Sequence, residues 1–152
     1  MSDQITLRGS FERDDNSVPI TGLGLVASKA ITYAAGTTGL ATATTLFTVT
    51  GTVAVRVFAV CSGTELTGSG TLEVGISGNT AAIIAQTAAT AIDVGEIWYG
   101  TNPPTVGVMP DQLILAGTDI IQTIASNTVT AGTLTYYCMW NPISTDGNIE
   151  VA

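Results

Sequence analysis

From Thr45 onward, the hydrophobic and polar positions of the chain alternate with a period of two. Successive side chains of a β-strand point to opposite faces, so the run TLFTVTGTVAVRVFAV at residues 45–60 predicts two strands, or one long bent strand, around Gly51. In its second half the faces are Val53, Val55, Val57 and Ala59 on one side, and Ala54, Arg56, Phe58 and Val60 on the other. Both faces are largely apolar, which predicts a strand in the middle of a sheet. Arg56 then needs a carboxylate or carbonyl partner, or a position at a subunit boundary.

Later runs with the same alternation predict further strands at residues 71–77, 112–116, 119–125 and 132–141. The last of these contains the unusual run TYYCMW. One of its faces, suited to a hydrophobic core, consists of Leu134, Tyr136, Cys138 and Trp140. The other face is mixed and consists of Thr133, Thr135, Tyr137 and Met139.

Two segments have weaker periodicity. The alanine content of residues 80–91 is compatible with a helix, but β-branched pairs, several threonines and the preceding Ser-Gly-Asn turn favour a strand followed by a loop. Residues 101–111 contain three prolines, which predicts a loop, because proline cannot donate to a central β-ladder.

Together these runs give about seven to nine short strands separated by turn signals about every 8–12 residues, as in sandwiches. We therefore predict an all-β fold: a single antiparallel β-sandwich domain, jelly-roll-like, over residues 41–152. Residues 1–40 hold much of the charge and then small residues without a sustained period. Three structures are considered for this segment: a solvated tail, an irregular arm lying on a partner, or one or two edge strands of the domain. The apolar content favours an extended N-terminal arm, irregular or partly strand.

Charged residues make up 11% of the chain and the mean hydropathy is +0.43. About 25% charged residues is typical of soluble domains. The surface must therefore be built from small neutral residues or be covered by another molecule. This composition favours a subunit of a larger assembly.

The formal net charge is −8, with 4 basic and 12 acidic residues. Phosphate backbones and anionic membranes both attract clustered lysine and arginine, so we expect neither nucleic acid nor a membrane surface as a partner. No apolar run approaches the roughly 20 residues of a membrane-spanning helix. Polar and acidic groups occupy residues 1–10, so we expect no secretory signal and synthesis in a reducing cytoplasm.

The chain contains no histidine, which removes the commonest general base and metal ligand. Paired carboxylates are the remaining catalytic option, and the candidates are Glu73, Asp93, Glu96, Asp111 and Asp119. Ordinary structural roles explain these acids better, so we expect no enzymatic activity, no cofactor and no metal site. Cys61 and Cys138 are expected to be buried free thiols, although a bridge between two strands stays open.

Aromatic side chains can stack on sugars, anchor protein interfaces or fill a core. The core is favoured for Trp140, whereas interface and core are equally favoured for Trp98 and Tyr99, beside a glycine- and proline-rich loop. The predicted interface residues are Leu23, Leu25, Ile31, Tyr33, Arg56, Trp98 and Tyr99.

The blocks TLEVGISGNTAAIIAQTAATAIDVGEIW and GTDIIQTIASNTVTAGTLTYYCMWNPIS resemble a group of small virion structural proteins of tailed bacteriophages. The resemblance covers residues 45–149 and implies a capsid decoration or cement protein on the virion surface, with the major capsid protein as partner. It implies no catalytic residue. A tail or head-fibre component, or a carbohydrate- or receptor-binding module, is the alternative. Closed cyclic symmetry suits shell axes, so we expect a homo-oligomer, with a trimer favoured over a dimer.

Overall fold

The computed structural model describes residues 24–152 of the chain. In this part the chain is nearly all β-structure with antiparallel pairing, which confirms the predicted all-β sandwich class. The strands are β1 (Leu25–Thr32), β2 (Ala43–Thr50), β3 (Thr52–Cys61), β4 (Thr67–Gly68), β5 (Thr71–Ile76), β6 (Asn79–Ala88), β7 (Ile97–Trp98), β8 (Leu113–Ala116), β9 (Ile120–Ala125), β10 (Val129–Ala131), β11 (Thr133–Pro142) and β12 (Asn148–Val151).

Two five-stranded sheets form the layers of the sandwich. In the front sheet the order is β1-β11-β3, and the far edge of β3 pairs with both β7 and β8. In the back sheet the order is β12-β2-β9-β5-β6, and a separate small sheet pairs β10 with β4. Buried side chains from both main sheets belong to one hydrophobic cluster, so the core lies between them.

The core face predicted for β11 is confirmed, and the structure shows which of the two apolar faces of β3 is buried. Along β3, Val53, Val55, Val57 and Ala59 are all at most 2% exposed. Along β11, the buried residues are Leu134, Tyr136, Cys138 and Trp140. These two strands pair directly, from Leu134 opposite Cys61 to Pro142 opposite Val53, so their apolar sides form one continuous wall of the core.

The ambiguous segment before β7 is a strand, β6, followed by a short 3-10 turn at Ala89–Ala91. Its β-branched residues and the preceding turn therefore outweigh its alanine content. Residues 101–111 contain no strand, as their prolines predicted. The sequence did not indicate β12, whose four residues follow a Ser-Thr-Asp-Gly turn region and are too few to show alternation.

The segment expected to be an arm contains β1, and this strand is an integral part of the front sheet. It pairs with β11 without interruption, from Leu25 opposite Trp140 to Thr32 opposite Thr133. The limit drawn at residue 40 therefore does not separate an arm from the sandwich among the described residues. The alternation was missed because Lys29 stands among the inward positions of β1. Residues 1–23, including Leu23, lie outside the described residues.

Three connections cross between the two sheets at one end of the sandwich: β2 to β3, β8 to β9 and β11 to β12. Hydrogen bonds hold these crossings together. The Gly117 amide donates to the Gly51 carbonyl at 2.7 Å, and the Thr52 amide donates to Ser144 Oγ at 2.7 Å. The Val49 amide donates to Asp119 Oδ1 at 3.0 Å. The sheets are therefore joined by short, fixed corners.

Gly51 makes the first of these corners with a φ of 61°, in the left-handed region that side chains disfavour. A Cβ there would lie 2.5 Å from Asp146 Oδ1 and 2.6 Å from Ser144 Oγ. Gly117 has the same φ of 61°, but a Cβ would meet nothing within 4 Å. Comparing alanine substitutions at the two glycines therefore separates the cost of backbone strain from the cost of steric overlap.

We expect Gly51→Ala to lower the free energy of unfolding by about 2–4 kcal/mol, because strain of about 1–2 kcal/mol adds to overlap with the β11–β12 connection. The matched Gly117→Ala change should cost only the strain, about 1–2 kcal/mol. Urea titration followed by tryptophan fluorescence measures both values. Equal losses in the two variants would contradict the role assigned to the corner.

Candidate interaction surface

Trp98 belongs to the core and not to an interface. Its side chain is 0% exposed, and its Nε1 donates a hydrogen bond to Thr87 Oγ1 at 3.0 Å. Its ring meets the Tyr136 ring edge to face, with centroids 6.3 Å apart. Trp98 lies on β7 and Thr87 on β6, so this contact ties the front sheet to the back sheet. A sugar-stacking role for Trp98 is excluded by its burial.

Ile31 and Tyr33, also predicted at an interface, are buried as well, at 8% and 3% exposure. The Tyr33 hydroxyl donates to Gln122 Oε1 at 2.8 Å and lies 2.7 Å from the Tyr136 hydroxyl. Gln122 is on β9, so this buried network links the two sheets. Burial raises the pKa of both tyrosines. Their role is to satisfy one another inside the core, where an unpaired hydroxyl would be costly.

Both cysteines are free and buried, as expected. Cys61 pairs with Leu134 and Cys138 pairs with Val57, so the thiols are four positions apart along the β3–β11 ladder. Four strand residues span about 13 Å, which no disulfide bridges. Burial raises the pKa of the Cys138 thiol to about 12 and also raises the pKa of Cys61.

The acidic residues considered for catalysis are spread over the fold, and two of them accept hydrogen bonds from backbone amides. Asp119 accepts the Val49 amide at the corner, and Glu96 Oε2 accepts the Asp93 amide at 2.8 Å within one turn. Glu73 is 8% exposed in the middle of the back sheet. Within residues 24–152, no group of three or more His, Cys, Asp or Glu side chains is placed to hold a metal ion.

The outward side of the front sheet is mostly apolar, and we call it the outer face. Strand register places its side chains in rows across three strands: Val26, Met139 and Arg56, then Ser28, Tyr137 and Phe58, then Ala30, Thr135 and Val60. The Phe58 and Tyr137 rings stack with centroids 5.3 Å apart and planes inclined by 21°. Val26 is 57% exposed. Leu25, in contrast, points inward and packs against the core.

Arg56 is the only charged side chain in these rows. Its Nε is buried and has no hydrogen-bond partner in the described part of the chain. Lys29, the other cation of residues 24–152, donates to the carbonyl oxygens of Thr45 at 2.8 Å and Ala152 at 2.6 Å. The expected carboxylate or carbonyl partner is therefore not found at this nitrogen within the described residues.

A second apolar surface lies beyond the far edge of β3, and we call it the loop patch. It consists of Val106, Val108 and Met109 from the loop between β7 and β8, together with Ile114 on β8. These side chains are 85%, 75%, 42% and 68% exposed, respectively. They are among the most exposed large hydrophobic side chains of the described residues.

Two recesses adjoin the loop patch. The larger, of about 370 Å³, is bordered by Tyr99, Asp111, Ile83 and Met109, and has Val57 at its base. The smaller, of about 120 Å³, lies between Phe58 and the loop. The Tyr99 ring packs against Gly107 so closely that an added Cβ would lie 2.7 Å from it. Tyr99 is thus half-buried and forms one wall of the larger recess. Of the aromatic residues predicted at an interface, Tyr33 and Trp98 are buried, and Tyr99 alone borders an open surface.

Sequence reasoning did not identify the loop patch. The available signal was the run VGVM inside a proline-rich loop, since valine and methionine in a loop have no strand to pack into. Periodicity finds strand faces, and it gives no weight to apolar residues in irregular segments.

Comparison with protein-family models, with curated proteins and with solved structures finds no match to this chain. Among residues 24–152, no helix is long and apolar enough to cross a membrane.

The buried thiols and tyrosines predict alkaline destabilisation. Folded Tyr33, Tyr136 and Cys138 hold their protons above the ordinary values of 10.0 and 9.0, so the unfolded chain loses protons first as pH rises. Their contribution to stability is therefore complete below about pH 9 and falls above it, by up to about 1.4 kcal/mol per pH unit for each group.

Urea titrations from pH 7 to pH 11 measure this slope. Tyr136→Phe should be less stable at pH 7, because Gln122 and Tyr33 both lose the buried hydroxyl to which they are hydrogen-bonded, yet its stability should fall less steeply above pH 10. Cys138→Ala should flatten the decline that begins near pH 9. Curves that run parallel to the parent for both variants would refute the assignment.

Proposed function

We propose that the protein is a non-enzymatic structural protein of a virion, which decorates and stabilises the capsid of a tailed bacteriophage by bridging neighbouring coat subunits. The observation that supports this most is the loop patch. The proposed partner is the major capsid protein, and the proposed location is the capsid surface. The protein is proposed to act as a homo-oligomer, with a trimer favoured over a dimer.

The loop patch has the composition of a protein contact. Its exposed side chains are neighbours along one loop and the adjoining strand β8, and none is charged. Contiguous exposed apolar groups rimmed by polar ones are typical of interaction sites in soluble proteins. Each 100 Å² of apolar area covered there contributes about 2.5 kcal/mol before the costs of association.

The recess beside the patch gives such a contact a pocket. Interface energy is concentrated where a partner side chain fills a well-packed site. A recess of about 370 Å³ with Tyr99 on one wall has room for a large side chain of a coat subunit. Asp111 at its border favours a partner side chain that ends in a hydrogen-bond donor or a positive charge.

The assignment to a phage shell rests on the sequence resemblance and agrees with the physical character of the chain. An all-β body with 11% charged residues is suited to a site where copies and coat subunits cover each other's surfaces. Many copies on one particle also strengthen modest contacts, since a bridging subunit binds its second coat neighbour at a high effective concentration.

A carbohydrate-binding module is the second candidate, and one observation favours it. Tyr99 and Asp111 stand together at the border of an open recess, and an aromatic ring beside a carboxylate is a common arrangement for holding a sugar. The buried position of Trp98 counts against this candidate, because a sugar-binding groove would use both Trp98 and Tyr99 as exposed stacking rings. A tail or head-fibre component would use the same apolar surface against a different partner.

The loop patch can be tested with Val108→Asp. A carboxylate at a 75% exposed position should leave the fold intact but weaken binding to undecorated capsids at least tenfold, because it would be desolvated in the contact. Binding is measured by co-sedimentation with capsids and by subunit mass in solution. Capsids with the parent protein should also withstand higher temperature than bare ones.

The matched control is Val151→Asp, since Val151 is 51% exposed on β12 of the back sheet, away from the patch. It should bind like the parent. Equal binding by Val108→Asp and the parent would overturn the role of the patch. Failure of the parent to bind any capsid, together with glycan binding that is lost in Tyr99→Ala, would replace the proposal with the carbohydrate-binding alternative.

A further inference from the structure

The front sheet lacks one rung on the side of β3 that faces β7 and β8. On that side β7 pairs with β3 from Ala59 onward, and the pairing with β8 ends at Val55. The three residues between them are Arg56, Val57 and Phe58. All three pair with β11 on the other side of β3, but no strand lies opposite them in the gap between β7 and β8.

The backbone polar groups of Val57 point into this gap. Successive residues of an antiparallel strand direct their N–H and C=O groups to opposite neighbouring strands. Cys61 donates its amide to the Glu96 carbonyl at 3.0 Å, on the side of β7. Ser62 donates its amide to the Thr133 carbonyl of β11 at 3.0 Å. Val57 lies an even number of residues from Cys61, so its N–H and C=O face away from β11.

The loop between β7 and β8 does not satisfy these groups. Among the described residues, no hydrogen bond joins this loop to the Val57 N–H or C=O. The Pro104 carbonyl of the loop accepts from the Ile97 amide at 2.8 Å instead. Val57 is 2% exposed, and buried backbone groups nearly always have a partner. The recess of about 370 Å³, with Val57 at its base, is the place where a partner would enter.

The gap has room for a small group and not for a strand. The four residue steps from Val55 to Ala59 span about 13 Å. Leu113 of β8 lies opposite Val55 and occupies one end of this interval. Trp98 of β7 lies opposite Ala59 and occupies the other end. An extended chain would overlap both strand ends, so the missing partner of Val57 is a side-chain group that enters through the recess.

The two unpaired groups require an acceptor and a donor side by side. A carboxylate accepts but does not donate, whereas ammonium and guanidinium groups donate but do not accept. A primary carboxamide, the end group of asparagine and glutamine, has a carbonyl oxygen and an N–H on the same edge. In a secondary amide the N–H points away from the carbonyl oxygen. The second N–H of a primary carboxamide stays free for an acceptor, and the border of the recess includes the Asp111 carboxylate.

We propose that the recess binds the primary carboxamide of an asparagine or glutamine side chain. The carboxamide oxygen accepts from the Val57 amide, and its N–H donates to the Val57 carbonyl, which completes the front sheet between β7 and β8. Ile83, Tyr99 and Met109 line the recess and contact the aliphatic part of the side chain. A coat subunit is the proposed source of this side chain, and that source alone rests on the proposed function.

Titration of the full-length protein with propionamide tests the site, because this probe carries a primary carboxamide and nothing else of a partner. Backbone amide signals are followed by NMR. The Val57 amide should shift and saturate with a millimolar dissociation constant, because it gains an acceptor. N-methylpropionamide, a secondary amide, is the matched probe and should bind at least tenfold more weakly. No shift of Val57 with propionamide, or equal binding of the two probes, would overturn the proposal.

A pair of variants tests whether the recess is the route to Val57. Ala82 is exposed on β6 and lines the recess, whereas Ala85 is exposed on the same strand and does not line it. Ala82→Phe should fill the recess and reduce the Val57 shift at a fixed propionamide concentration at least fivefold. Ala85→Phe should leave the shift unchanged. Equal shifts in the two variants would overturn the recess as the binding site.

Capsid binding by the same proteins separates this inference from the proposed function. Ala82→Phe should bind undecorated capsids at least tenfold more weakly than Ala85→Phe. A parent protein that binds propionamide but no capsid would support the carboxamide site and overturn the proposed function. Equal capsid binding by the two variants would overturn the coat subunit as the source of the carboxamide, and the contact through the loop patch would stand.

Discussion

The pairing of β3 with β11 is the constraint from which the remaining features follow. Its register, with Cys138 opposite Val57 and Tyr137 opposite Phe58, directs one set of side chains into the core and the other outward. A shift by one residue would exchange the two sets and expose the buried tyrosine network. The same ladder thus fixes the cross-sheet hydrogen bonds of Tyr136 and the aromatic stack on the outer face.

The two sides of β3 meet different neighbours. On one side β11 pairs along its length, whereas on the other β8 pairs near one end and β7 near the other. The chain between β7 and β8 therefore has no ladder to join and leaves the sheet as a loop, where its apolar residues are exposed. In a chain with so little charge, exposed apolar area of this kind is concentrated where the sheet is incomplete.

The sequence was sufficient for the fold class and for the inward face of β11, because alternation between a fully apolar and a mixed face encodes which side is buried. For β3 it separated the two faces but did not show which is buried, since both are largely apolar. It was insufficient for β1, where Lys29 occupies an inward position and bonds to carbonyl oxygens at the open edge of the sandwich. The prediction of interface residues was less successful, because residue type alone does not show whether a side chain is buried. Trp98, Ile31 and Tyr33 were assigned to an interface by residue type, and only three-dimensional packing shows that all three are buried. Thr87 and Gln122 supply the polar partners of Trp98 and Tyr33.

The positions of the two thiols have a consequence for the chemical durability of the protein. Each is enclosed by the core, each is held in its protonated form, and the ladder keeps them too far apart to join. The thiolate is the species that oxidants attack, so neither sulfur is an accessible target in the folded state. Transfer from a reducing to an oxidising environment would therefore leave both thiols of the folded subunit, and of any assembly built from it, unchanged.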